Sequence, residues 1–258
     1  MKPSTIIALT VTGTLLGCVP ELGPDSTSQQ PAKPGALGDL TEDARDEMTQ
    51  VFTVDSESFN TIEGEEGTLL YLWPNSLVDS DGLLVHGNVD VELIEIYGKG
   101  QMLTSNVPTN GLTSSGEIAQ LVSGGEFYVN ASQNGEDLSL THPYQLIAPT
   151  ENTDGPDNEM ELFEIEEGPQ GADAWVAVGD EPNDPDTDGN QGDRGNVEIV
   201  KADTDGGGTS TAYAFLSQEF GWSNIDRWYS DPRPKTTIHV EVPDGWDNDN
   251  CAVYLSYD

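Results

Sequence analysis

The stretch "DPDTDG" sets Asp184, Asp186 and Asp188 at alternate positions ahead of Gly189. Alternating carboxylates of this kind bind hard cations. In helix–loop–helix calcium loops they are followed by a mid-loop glycine and a closing bidentate glutamate. Here Gly195 stands where that glutamate belongs, Pro185 interrupts the loop, and the flanks read as strands. The pattern is therefore not of the helix–loop–helix type. Two readings stay open. One is a looser calcium site in which Asp180 or Asp193 completes the shell. The other is a solvated loop in a chain that carries 47 acidic residues among 258.

Other chemistry is thinly supported. His86, His142 and His239 are far apart, and no HExxH or CxxC spacing points to zinc or a redox metal. No GxSxG elbow and no glycine-rich phosphate loop is present. A glycosidase needs only two facing carboxylates, and a chain this acidic offers many pairs. Trp73, Trp175, Trp222, Trp228 and Trp246 are candidates for sugar-stacking platforms, or else they fill cores. Trp222 and Trp228 bracket Asn224, Asp226 and Arg227 in what reads as a turn-rich segment, where an Asp226–Arg227 pair would fix the turn.

The N-terminus is a processing signal rather than fold. Lys2 precedes an apolar run from Ile6 to Leu16 that is too short to span a bilayer. The run ends in Leu15-Leu16-Gly17-Cys18, which resembles the bacterial lipoprotein signal. That resemblance implies cleavage before Cys18 and a diacylglycerol on its sulfur. The residue after it is Val19 rather than Asp, which implies the outer membrane, on either its periplasmic or its external face. With Cys18 lipidated, Cys251 has no second thiol to pair with. It lies in the strand-like "CAVYLSYD", where a small buried apolar residue is expected.

Charge bounds the partners. Nine basic residues against 47 acidic ones give a formal net charge of −38. Phosphate contacts need Lys and Arg, so nucleic acid and anionic lipid headgroups are excluded. The expected partners are the membrane, reached through the N-terminal lipid, and a protein or glycan.

The elements that must position any site are strands. Residues 18–49 hold Pro20, Pro24, Pro31 and Pro34 and read as a flexible tether, with a short helix in "DLTEDARDEMTQ" capped by Asp39. From Val51 the period is two. "QVFTVD" alternates, and "GTLLYLWP" is an apolar strand stopped by Pro74. In "NVDVELIEIY" the apolar phase slips after Leu93, which predicts a bulge. Gly124-Gly125 and Asn134-Gly135 predict two hairpin turns, and "YQLIAPT" closes the set. The polar run 151–159 marks a boundary. Beyond it "MELFEIEE" with "ADAWVAVG", and "NVEIVKAD" with "TSTAYAFLS", predict hairpins, and "KTTIHVEVP" and "CAVYLSYD" predict the last strands.

Three segments in order, "VELIEIYGKGQMLTSNVPT", "LVSGGEFYVNASQNGEDL" and "FGWSNIDRW", resemble a group of large surface or secreted lipoproteins of Bacteroidetes-type bacteria, whose first module is distantly similar to ZU5-type β-sandwiches. The resemblance spans roughly residues 50–258 and implies fold rather than activity. The self-cleavage of some ZU5 relatives needs His-Phe-Ser, which this sequence lacks.

The expectation is an all-β chain. It has a signal peptide (1–17), a tether (18–49), an antiparallel β-sandwich (50–150) and a second β module (151–258) that is truncated or completed by a partner strand. The expected function is a non-enzymatic, lipid-anchored binding or adhesion role. The alternatives are a surface-polysaccharide hydrolase with paired carboxylates and a calcium-stabilised adhesin.

Overall fold

The computed structural model describes residues 33, 35–167, 173–179, 197–203, 209–229, 240–247 and 250–253. The strands run β1 Gln50–Asp55, β2 Asn60–Glu63, β3 Leu69–Leu72, β4 Leu77–Val78, β5 Asn88–Ile96, β6 Asn110–Leu112, β7 Ile118–Gln133 and β8 Glu136–Asp137. They continue as β9 Ser139–Leu140, β10 Tyr144–Pro149, β11 Glu161–Glu167, β12 Asp173–Ala177, β13 Glu198–Asp203, β14 Thr209–Ser217 and β15 Gly221–Trp228. Two helices are described, α1 Ala36–Met48 and α2 Lys99–Ser105. α1 begins three residues before Asp39, which therefore lies in its first turn rather than capping it. All the described strands belong to one compact unit, Ala44–Ser230. The fold is all-β, as the alternation requires.

Two sheets face each other. The smaller has the order β13-β14-β10-β3-β2. The larger runs β1-β5-β7-β15-β11-β12-β6, with β8 paired to β7. The core between them is built from alternate positions: Leu70 and Leu72, Leu146 and Ala148, and Tyr213 and Phe215 from the small sheet meet Val89, Val91 and Leu93, Phe127, Val129 and Ala131, and Ile225 from the large one. Burying a side chain of this size stabilises by about 1.5–3 kcal/mol, so this one layer outweighs any single polar contact in the molecule.

The expected boundary near residue 151 does not separate two modules. β10 lies between β3 and β14, and β7 lies between β5 and β15. Strands from both halves thus share both sheets. The reason is burial: β7 and β10 are apolar on the core face and central in their sheets, and the first half leaves Leu121–Val129 of β7 and one edge of β10 to be covered by β15 and β14. Of the predicted last strands, 235–239 and 254–258 lie outside the described residues, while 240–243 and 251–253 are irregular. Outside the strand-bearing unit, Cys251 donates its N–H to Asp247 O at 2.8 Å. Its free thiol is half-buried on irregular backbone rather than on a buried strand.

The far end of the large sheet closes on itself. β6 pairs parallel with β12 at Gly111–Trp175 and antiparallel with β7 from Asn110–Gln120 to Leu112–Ile118. The circuit β7-β15-β11-β12-β6-β7 encloses a second core of Leu121, Phe163, Trp175, Ala177 and Trp228. Gly111 makes this possible, because a Cβ there would lie 2.6 Å from the Trp228 ring.

Two predicted irregularities change character. The phase slip in β5 is not a bulge, since its register with β7 runs unbroken from Asp90–Ser132 to Ile96–Glu126. Both faces of its C-terminal half are buried instead, Leu93 in the first core and Ile94 and Ile96 in the second. Gly124-Gly125 is not a turn, because β7 passes straight through it. The bulge sits here, where the β15 register shifts between Asn224–Glu126 and Asp226–Ser123. Gly125 has φ +127°, and a Cβ would meet Tyr97 and Phe127 at 2.8 and 2.9 Å, so only glycine fits. The Asn134-Gly135 hairpin forms as predicted, with both residues at positive φ.

Candidate functional site

Among the described residues, two places gather unusual functional side chains: a buried polar row on β15 and an exposed aromatic strip on the small sheet.

The buried row comes from "GWSNIDRW", which is a strand rather than a turn-rich segment. Trp222, Asn224, Asp226 and Trp228 alternate onto the second-core face of the sheet, opposite Tyr128, Glu126, Ser123 and Leu121 of β7. The bulge is what aligns them. Without the extra residue, Ser123 and Glu126 would point to opposite faces. Glu126, Asn224 and Asp226 are each at most 1 % exposed. Glu126 Oε2, Asp226 Oδ1 and both amide atoms of Asn224 have no hydrogen-bond partner. Burial pushes Asp226 up from 3.8 to about 8, held back in part by the polar groups of Ser123, Asn224 and the Gly124 amide. Burial also raises Glu126 well above the carboxylate range, and the nearby Asp226 adds to the rise. Asp226 is thus protonated over most of the neutral range. Glu95 contrasts in its hydrogen bonding. It is equally deep, yet it accepts from Gln50 Nε2 at 2.9 Å, Glu66 N–H at 3.1 Å and Thr68 N–H at 3.0 Å.

Arg227 points to the other face. The expected Asp226–Arg227 pair is replaced by Arg227 Nε donating to Asp157 Oδ2 at 2.7 Å. Neighbouring residues on a strand project to opposite faces, so Asp226 and Arg227 cannot meet. Asp157 is held in turn, its Oδ1 accepting Glu159 N–H and its own N–H donating to Tyr213 Oη at 2.8 Å. A cavity of about 410 Å³ opens beside this pair, between Ser123, Arg227 and the loop 153–160.

The aromatic strip lies on the solvent face of the small sheet. Phe59 and Trp73 are 50 % and 39 % exposed, and Phe59 contacts both other rings, Tyr71 at 5.8 Å and Trp73 at 4.9 Å between centroids. The ladders carry the row onward: Thr61 stands opposite Tyr71, Tyr71 opposite Gln145, and Gln145 opposite the half-exposed Leu216. Rigid backbone presents the two terminal rings. Ahead of Phe59, Asp55 accepts from Glu57 N–H at 3.1 Å and from Ser58 Oγ at 2.9 Å. After Trp73, Ser76 Oγ donates to Trp73 O at 2.7 Å, and Asn75 N–H donates to Ser56 O at 2.8 Å, tying the two loops together. Both loops are thus fixed before anything arrives.

The other tryptophans are sorted by burial. Trp175 and Trp228 fill the second core. Trp222 packs against that core, meets Tyr128 in a tilted ring contact and carries Arg45 of α1 over its ring at 5.4 Å. Trp246 is half-buried on irregular chain. Sequence reasoning named Trp73 but missed its partners Phe59 and Tyr71. The alternation Phe59-Thr61 on one strand and Tyr71-Trp73 on the next was the available signal.

Cys18, Asp184, Asp186 and Asp188 lie outside the described residues, as does His239. His86 contacts Glu57 at 3.2 Å on the surface, and His142 contacts Thr141 at 3.0 Å. Among the described residues no group of three or more His, Cys, Asp or Glu is placed to hold a metal. Among them, too, no helix is long and apolar enough to cross a membrane. No family model matches the chain, and no curated protein or solved structure matches it significantly.

Proposed function

We propose that this chain is a lipid-anchored outer-membrane protein, held by Cys18, whose sandwich binds a partner rather than transforming a substrate. The observation that carries the reading is the strip in which Phe59 and Trp73 stay exposed beside a half-buried Tyr71, although large aromatic side chains are strongly driven to burial. The two acids with the strongest upward shifts, Glu126 and Asp226, are enclosed in the sheet and not set across a cleft. That arrangement supports binding over polysaccharide hydrolysis, which needs two carboxylates open to the substrate.

Oxidative footprinting of Trp73 tests the reading. The ring should react in the purified chain and be protected in intact envelopes of cells that make it. Equal reactivity in both settings sinks it. The anchor is tested separately by Cys18→Ser, which should move the chain to the soluble fraction and abolish incorporation of labelled fatty acid.

A further inference from the structure

We infer that the occupant of the aromatic strip is an extended neutral polysaccharide chain, an inference that rests on the reading of this face as a binding surface. The charge pattern selects the partner. The chain carries a formal −38, yet the strip Phe59, Trp73, Thr61, Tyr71, Gln145 and Leu216 holds no charged side chain. Carboxylates flank it: Glu63 and Glu198 end the adjacent row Glu63–Leu69–Ile147–Ala214–Glu198, and Asp55 is bonded to Ser58 just ahead of Phe59. An uncharged window framed by carboxylates in an anionic surface repels acidic polymers, anionic lipid and a second copy of the same chain. It also lacks the in-patch acids that a basic peptide would need. What it offers is ring surface for C–H groups, with the Thr61 and Tyr71 hydroxyls and the Gln145 amide able both to donate and to accept. That combination matches sugar rings, which present C–H faces and hydroxyl edges.

The dimensions select a polymer over a single sugar. The row crosses β2, β3, β10 and β14, which at the usual strand spacing is about 14 Å. That is longer than one ring, so several consecutive sugars would be engaged, and affinity should grow with chain length. The preset loops around Phe59 and Trp73 reduce the ordering cost of binding.

The test uses the full-length chain, purified in a detergent without a sugar headgroup, in affinity electrophoresis through gels containing laminarin, dextran, galactomannan or anionic alginate. At least one neutral polymer should retard the protein while alginate does not. Hexasaccharides of the retarding polymer should bind at least tenfold more tightly than disaccharides. Trp73→Ala should weaken binding by about tenfold or more, the scale of losing one buried ring. Leu216→Glu changes an exposed position, leaves the core untouched, and should weaken binding by bringing a charge into the window even if Trp73→Ala proves unstable. The inference is overturned if no neutral polymer retards the chain, if alginate does so equally, if disaccharides bind as well as hexasaccharides, or if both variants retain binding. It is also overturned if sedimentation shows a dimer that Leu216→Glu dissociates. Protection of Trp73 in envelopes without binding to any neutral polymer would sink the saccharide assignment and leave the binding-surface reading standing.

Discussion

Asp226→Asn should make the protein more stable at alkaline pH and flatten its pH profile. Asp226 is fully enclosed and is pushed up from 3.8 to about 8 by burial. The folded state therefore holds a proton that the unfolded chain releases near pH 4. Between these values the native state binds more protons than the unfolded one, so stability falls as pH rises, by about 1.4 kcal/mol per unit. The stabilising protonated form is fully present below pH 4, and the loss is complete above about pH 8. From pH 5 to pH 7.5 the wild type should lose roughly 3 kcal/mol relative to an asparagine that cannot titrate. The near-isosteric amide adds a constant offset, so the slope is the readout. The assay is urea unfolding followed by tryptophan fluorescence, at fixed 0.3 M salt so that the repulsion within this acidic chain is equal in both proteins. Parallel curves for wild type and variant across that range would falsify the burial argument. Glu126→Gln added to Asp226→Asn should flatten the profile further, because Glu126 is raised by the same burial.

Two further substitutions probe the geometry around this row. Gly125→Ala forces a Cβ against Tyr97 and Phe127 at a backbone angle of +127° and should cost roughly 2–4 kcal/mol in denaturant unfolding. Survival with unchanged stability would show that the bulge relaxes freely. Arg227→Met removes the partner of Asp157 and should cost about 1 kcal/mol, a loss that shrinks at high salt because both groups are partly in solvent. A salt-independent loss would instead point to packing of the arginine stem.

Much of the strand content was legible because its causes are local. "QVFTVD", "GTLLYLWP" and "YQLIAPT" formed β1, β3 and β10, and the hairpin between "MELFEIEE" and "ADAWVAVG" pairs Phe163 with Ala177 through Glu167 with Asp173. Asn134-Gly135 turned as its positive φ preference requires. What was not legible depends on contacts between distant strands. Leu93 and Ile94 look like a register slip in isolation and become a strand buried on both faces only once a second core lies beneath Ile94. Gly124-Gly125 carries the composition of a turn, but β15 on its far side holds it in the sheet. "GWSNIDRW" obscured its own period, because Asn and Asp occupy the positions where an apolar residue is expected, and those two are the residues that give the buried row its character. The aromatic strip needed the register of three strands before Tyr71, Gln145 and Leu216 could be seen as one line.

The interleaving of the two halves also governs how the chain folds. β7 and β10 must wait for β15 and β14, so the contacts that seal both sheets join residues separated by as much as about a hundred positions in sequence. Such long-range pairing slows folding and leaves apolar edges open until the last strands arrive. A chain halted near residue 150 would present the central edges of both sheets unpaired, the condition that favours aggregation through strand addition. The strand-bearing unit is therefore completed only after residue 228 has emerged, with the dense negative charge keeping the waiting chains apart.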